Sequence, residues 1–117
     1  NVYPMATMTK MTTIQQLNTA LEASSDKPLL LFKHSTRCPI SAGAYQEVES
    51  YLEGASDENI EYGIIYVVED RPVSNAAADM LQVKHESPQA ILIKDGEAVW
   101  HTSHSNITAR ALHDHLT

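Results

Sequence analysis

Residues 29–41 read LLLFKHSTRCPIS, and this stretch decides the fold of the chain. Residues 29–32 form a continuous apolar run that is too short for a helix and suits a strand covered on both faces. Pro39 stands where a proline is best tolerated, in the first turn of a helix. Cys38 is therefore expected where a central strand ends and a helix begins.

Cys38 is the single cysteine of the chain. Backbone N–H groups at a helix N-terminus have no intrahelical partner and carry a partial positive charge, so they favour a thiolate over a thiol. Lys33, His34 and Arg37 add two fixed positive charges and an imidazole that can titrate. Although many free cysteines are buried and inert, this context predicts a reactive thiol.

The composition favours one domain whose partners are proteins or small molecules. A chain of 117 residues with 43% hydrophobic content can build a single core, and a net charge of -7 argues against nucleic acid or an anionic membrane surface. No apolar run approaches the roughly 18 residues that span a bilayer, and one cysteine cannot form an internal disulfide. We therefore expect a soluble, cytoplasmic protein, with residues 1–10 as a disordered tail or expression remnant and residues 11–117 as the domain.

Periodicity and turn residues predict the order of the elements. The first half contains a helix capped by Thr12 or Thr13 and ended by residues 24–26, the strand at 29–32, a helix at 39–52 and a strand at 60–68. The second half contains a short helix at 76–81 capped by Ser74 or Asn75, a hairpin with Asp95-Gly96 at its turn, and a helix at 108–116. The first two strands should be parallel, because the connection between them is long enough for a crossover. This order predicts a central mixed sheet of four strands, flanked by helices on both faces.

Several short motifs resemble known redox families. Residues 38–41, Cys-Pro-Ile-Ser, resemble the glutaredoxin-type turn C-P-x-C with Ser41 in place of the second thiol. Pro88 resembles the cis-proline that thioredoxin-like proteins carry before the third strand of the sheet, facing the active-site cysteine. Longer strings closely resemble the monothiol bacilliredoxins, bacterial proteins that work with the low-molecular-weight thiol bacillithiol; these strings are residues 32–36, 38–44, 71–75, 84–89 and 104–108.

The resemblance, which runs from about Leu17 to the C-terminus, implies a fold and an activity. The fold is a thioredoxin-like three-layer α/β/α domain, and the activity is removal of bacillithiol from mixed disulfides on cytosolic client proteins. Cys38 would be the catalytic nucleophile. Because Ser41 cannot resolve a disulfide, bacillithiol itself or a redox partner must recycle Cys38, with bacillithiol as thiol co-substrate and no other cofactor.

The residues expected to bind substrate surround Cys38 in sequence or face it in the implied fold: Lys33, His34, Arg37, Pro39, Ser41, Ser87 and Pro88. Ser41 could donate a hydrogen bond to the thiolate or simply bond the backbone. His34 either assists the sulfur or is an exposed or capping residue. Ser87 would offer its backbone to an extended ligand beside a cis Pro88, whereas the ordinary alternative is a trans proline that ends a loop.

Other residues have structural interpretations that compete with functional ones. Arg71-Pro72 and Asn75 either border the thiol pocket or only start a helix, and Trp100 is expected in core or edge packing. The histidines lack the further ligands that a metal site needs, so no metal is expected; they are His101, His104, His113 and His115. The alternative function is a non-catalytic thioredoxin-fold module for binding or stress protection, in which Cys38 is only modified.

Overall fold

The computed structural model describes residues 6–116 and contains five strands and four α-helices within that range. In chain order these are β1 Thr9–Lys10, α1 Ile14–Ala23, β2 Leu29–His34, α2 Pro39–Gly54, β3 Glu61–Tyr66, α3 Arg71–Leu81, β4 Gln89–Lys94, β5 Glu97–Ser103 and α4 Ala109–Leu116. A short 3₁₀ turn at His104–Asn106 leads into α4. The arrangement is the expected α/β architecture, a mixed sheet with helices on both faces.

Strand β2 lies at the centre of the sheet, whose order is β1-β3-β2-β4-β5. It pairs parallel with β3 and antiparallel with β4, so Leu31 lies beside Gly63 on one side and Ile91 on the other. All six residues of β2 are buried, which confirms the predicted central strand. Cys38 follows this strand after a short loop, near the carboxyl-terminal ends of the parallel strands β2 and β3.

The sheet has five strands, and the predicted count of four is wrong by one. Thr9 and Lys10, which belong to the expected tail, pair parallel with Gly63 and Ile64 of β3. Two exposed polar residues show no periodic pattern from which a strand could be predicted. The next residue, Met11, is buried so close to β3 that a Cβ on Gly63 would lie 2.5 Å from its Cε. Residues 1–5 of the expected tail lie outside the described residues.

Alternate residues of β2 belong to two different cores. The even-numbered residues, which end with His34, contact the core beneath α2 and α4. The odd-numbered residues, which end with Lys33, contact the core beneath α1 and α3. Because neighbouring side chains of a strand point to opposite faces, two adjacent polar residues before the Cys38 loop reach opposite sides of the sheet.

The structure contains the predicted hairpin turn, whereas helix α3 starts earlier than predicted. Asp95 and Gly96 adopt left-handed φ values of 52° and 75°, as a tight hairpin between β4 and β5 requires. Helix α3 begins at Arg71 with Asp70 as N-cap, so the predicted cap at Ser74 or Asn75 is wrong. Pro72 lies in the first turn of α3, where the missing N–H costs nothing, rather than before the helix.

Thr13→Ala should destabilise the protein by about 1 kcal/mol, since it removes half of a capping box. The Thr13 hydroxyl accepts the Gln16 N–H at 3.0 Å, and Gln16 Oε1 accepts the Thr13 N–H at 3.2 Å. Urea unfolding gives the free energy. Thr19→Ala, an exposed substitution inside α1, is the control and should be neutral or slightly stabilising; equal losses in both variants would contradict the cap's role.

Candidate functional site

Cys38 is the N-cap of α2, with extended backbone at φ -116° and ψ 123°. Its carbonyl accepts the first helical hydrogen bond, from Ala42 N–H at 3.1 Å, and Pro39 begins the helix. The thiol is partly exposed and makes no hydrogen bond to the N–H groups of the helix. The sulfur is therefore partly accessible and makes no capping hydrogen bond, although it lies at the positive end of a helix of 16 residues.

Ser41 lies one turn into α2 and is fully buried. Its Oγ accepts the backbone N–H of Ser35 at 2.9 Å and shares a hydrogen bond of 2.8 Å with Nδ1 of His34. With one lone pair facing Ser35, the hydroxyl can donate its own proton to Nδ1. Of the two roles expected for Ser41, the structure thus shows the bond to backbone, and the hydroxyl fastens the loop before Cys38 to α2.

His34 is buried in an aromatic cluster. Its ring stacks on Tyr45 at a centroid distance of 4.8 Å and meets Tyr66 edge-on at 5.6 Å. Burial lowers the pKa of His34 below its usual value, and the charge of Glu69 opposes this only in part. A neutral imidazole that bonds Ser41 is neither the exposed residue nor the thiolate partner that the sequence left open. It acts on the loop through Ser41.

Lys33 is fully buried on the other face of the sheet from His34. Its Nζ donates to the carbonyl of Ser74 at 3.0 Å and contacts Nδ1 of His85 at 3.2 Å. Among residues 6–116 no carboxylate lies within ion-pair distance of this ammonium, and burial lowers the pKa of Lys33 to about 8. Lys33 is therefore anchored between α3 and the segment before Pro88.

The surface beside the thiol combines charge and an apolar side chain. Arg37 and Pro39, the expected neighbours of Cys38, are both exposed, and Arg37 N–H donates to Ser35 Oγ at 3.3 Å. Ile40 is 54% exposed although it is large and apolar. Its position could not be predicted from the sequence, because a lone isoleucine in a first helical turn is typical of a core residue.

The peptide bond between Ser87 and Pro88 is cis, which confirms that expectation. Pro88 is buried, and its carbonyl accepts the His104 N–H at 3.0 Å. Among the described residues, Ser87 Oγ and Gln89 Oε1 are buried without a hydrogen-bond partner. Gln89 cannot be recognised as a site residue from the sequence, since glutamine at the start of a strand carries no specific signal.

The remaining candidates have mainly structural positions. Arg71 and Asn75 are exposed at the start of α3. Trp100 of the edge strand β5 is half-buried and stacks on His115 of α4 at 4.3 Å, which confirms edge packing. Residues 6–116 contain no group of three or more His, Cys, Asp or Glu side chains arranged to hold a metal ion. No helix in the same range is long and apolar enough to cross a membrane.

Ser41→Ala should destabilise the protein by about 1–3 kcal/mol, because it leaves the buried Ser35 N–H without an acceptor. Chemical denaturation measures the loss. The matched control is Ser50→Ala, an exposed serine of the same helix, which should change stability by less than about 0.5 kcal/mol. Similar values for the two variants would show that the Ser41 network does not hold the loop.

Lys33→Met should stabilise the protein near pH 7 by about 1–3 kcal/mol, because it replaces a buried ammonium that has no carboxylate partner. Since the pKa of Lys33 is about 8 when folded and 10.5 in its ordinary state, the unfolded chain binds more protons between these values. Wild-type stability should therefore rise relative to the variant as pH rises through that window. Lys94→Met, at an exposed position, is the control; a constant difference across the window would contradict the assignment.

Comparison with known proteins agrees with the fold and with the single-thiol site. A solved protein with a thioredoxin fold is 33% identical over 92% of this chain and 91% of its own, with a TM-score of 0.80. Thioredoxin from Trypanosoma brucei brucei is similar in fold alone, at 12% identity, coverages of 97% and 90%, and a TM-score of 0.76. The family model of the monothiol bacilliredoxin BrxC matches residues 9–112. The fold is thus thioredoxin-like, family and fold support a thiol redox role, and the chain belongs to the monothiol bacilliredoxin family.

Proposed function

We propose that this protein removes bacillithiol from mixed disulfides on cytosolic client proteins, with Cys38 as the nucleophile. The observation that carries the proposal is the contrast between two positions of one helical turn. Cys38 is partly exposed and its sulfur makes no capping hydrogen bond. Ser41, at the position of a resolving thiol, is instead a buried residue whose hydroxyl makes two hydrogen bonds. Such a site can form one mixed disulfide and cannot close an internal one.

The reaction consists of two thiol-disulfide exchanges. In the first, the Cys38 thiolate attacks the bacillithiol sulfur of the client disulfide; the Cys38–bacillithiol bond forms and the client leaves as a thiolate that takes up a proton. In the second, an external thiolate, from bacillithiol or a redox partner, attacks the bacillithiol sulfur on Cys38. The Cys38 thiolate is regenerated, and the external thiol is oxidised to a disulfide with the departing bacillithiol. No cofactor beyond this thiol co-substrate is needed.

The surrounding residues have distinct roles in this proposal. The N-terminal turn of α2 holds the Cys38 sulfur where a client can reach it, next in sequence to the exposed Arg37. Ile40 offers an apolar contact to the client beside the sulfur, and Ser87 offers its backbone to an extended segment of the client next to Pro88. These contacts select an extended chain that carries the disulfide, in agreement with a protein client.

Cys38→Ser should abolish the release of bacillithiol from a model client and leave the fold intact, because serine is close in volume and retains the N-cap position. Mass spectrometry follows the adduct as it moves from the client to the protein. Since Cys38 is the single cysteine, any disulfide adduct must be on it. The same client carrying glutathione tests whether bacillithiol is preferred.

Three outcomes separate the possibilities. Transfer to Cys38 followed by release with added bacillithiol supports the proposed cycle. An adduct that forms on Cys38 but is never released would instead support a non-catalytic module whose thiol is only modified. Undiminished release by Cys38→Ser would refute the assignment of the nucleophile.

A further inference from the structure

The segment that leads into the cis bond, residues 84–88, is held to the rest of the fold at both ends and in the middle. Gln89 Nε2 donates to the Lys84 carbonyl at 3.0 Å, and the Pro88 carbonyl accepts the His104 N–H at 3.0 Å. Between these ends, the buried Nζ of Lys33 contacts Nδ1 of His85 at 3.2 Å. Lys33 also bonds the Ser74 carbonyl, so a single ammonium joins β2, α3 and the middle of the segment.

Stability does not account for a lysine at position 33. The side chain is 0% exposed and has no carboxylate partner within residues 6–116, so its charge is desolvated without compensation by an opposite charge. The Ser74 carbonyl does not require it either, because that group lies inside α3, where the helix supplies a donor four residues on. What Lys33 adds is the contact to His85, whose Nδ1 lies 3.2 Å from the ammonium and 3.4 Å from the more weakly placed hydroxyl of Ser74.

We propose that Lys33 is a positioning residue for thiol exchange: through His85 it holds residues 84–88, which carry Ser87 and Pro88, in the conformation that receives the client. This inference rests on the proposed function, since it assigns the segment to client binding. The hydrogen bond from Lys33 to His85 requires a neutral imidazole, because Nδ1 can accept a hydrogen bond from the ammonium only when it carries no proton of its own. Protonation of His85 would replace a charge-assisted hydrogen bond with two facing cations.

The charges around His85 determine the direction of this effect. Lys33 from β2 and Arg71 from the start of α3 both oppose protonation, and Glu86 favours it from the same segment. His85 is exposed as a whole, but partial desolvation of its ring is the largest contribution and lowers the pKa of His85 below its usual value. Glu86 is itself engaged, since it lies 3.3 Å from Nδ1 of His104 and accepts from Ser103 Oγ at 3.0 Å. The hydrogen bond between Lys33 and His85 is thus present near neutral pH and is lost on acidification.

The first experiment compares wild type with Lys33→Met and His85→Asn in steady-state adduct transfer. Lys33→Met should raise KM for the client about tenfold, equivalent to about 1.4 kcal/mol, with kcat little changed and the melting temperature unchanged or higher. His85→Asn keeps an acceptor near the position of Nδ1 but cannot titrate. Its kcat/KM, divided by that of wild type at the same pH, should be near one at neutral pH and rise on acidification. The ratio cancels any pH dependence that the two proteins share.

The second experiment needs no reaction. In a Cys38→Ser background, hydrogen exchange of the backbone amide of residue 104, which donates to the Pro88 carbonyl at the end of the segment, should show lower protection below the pKa of His85, and Lys33→Met should show low protection at every pH. His85→Asn should keep high protection throughout. His104→Gln is the control for the Glu86 contact and should retain the acid-dependent loss.

Each arm can overturn the inference by itself. An unchanged KM in Lys33→Met, or equal protection of the residue 104 amide in all variants, would show that the Lys33–His85 contact does not position the segment. The same acid dependence in His85→Asn as in wild type would refute the role of the imidazole. If wild type does not transfer bacillithiol, the proposed function fails. The hydrogen-exchange experiment still decides whether Lys33 holds the segment.

Discussion

Burial of β2 on both faces of the sheet is the constraint on which the other features depend. The strand pairs along its whole length with β3 and for five residues with β4, so it cannot shift without breaking two ladders. Its alternation sends His34 into the aromatic core beneath α2 and Lys33 into the space beneath α3. One strand therefore supports the loop and helix that carry Cys38 through one of its faces, and the segment that carries Pro88 through the other.

The exchange of a second thiol for a hydroxyl changes more than the reaction that can follow. At position 41 the hydroxyl accepts from the Ser35 N–H and bonds a neutral imidazole, two partners that a thiol would bond more weakly. The loop between β2 and α2 is thus held by the residue that, in a dithiol protein, would have to move and react. A monothiol site of this kind gains a fixed geometry around the attacking sulfur.

Much of the architecture could be predicted from local sequence. The apolar run of β2, the proline at the start of α2 and the Asp95-Gly96 hairpin each depend on residues that are neighbours in sequence, and the structure contains all three. The two residues of β1 could not be predicted, because their pairing with β3 depends on contacts more than 50 positions away. The partners of Lys33 and Ser41 had the same limitation. Sequence placed both residues near the thiol, but the alternation of β2 and a buried helix turn decide what they touch.

The stacked pair of Trp100 and His115 gives the molecule a built-in optical probe. The indole is the single one in the chain, and it lies flat against an imidazole of the last helix, with an angle of 12° between the rings. Indole emission responds to solvent and to the ring stacked against it. The fluorescence of the unlabelled protein therefore reports whether the C-terminal helix is seated on the edge of the sheet, separately from any event at the sulfur.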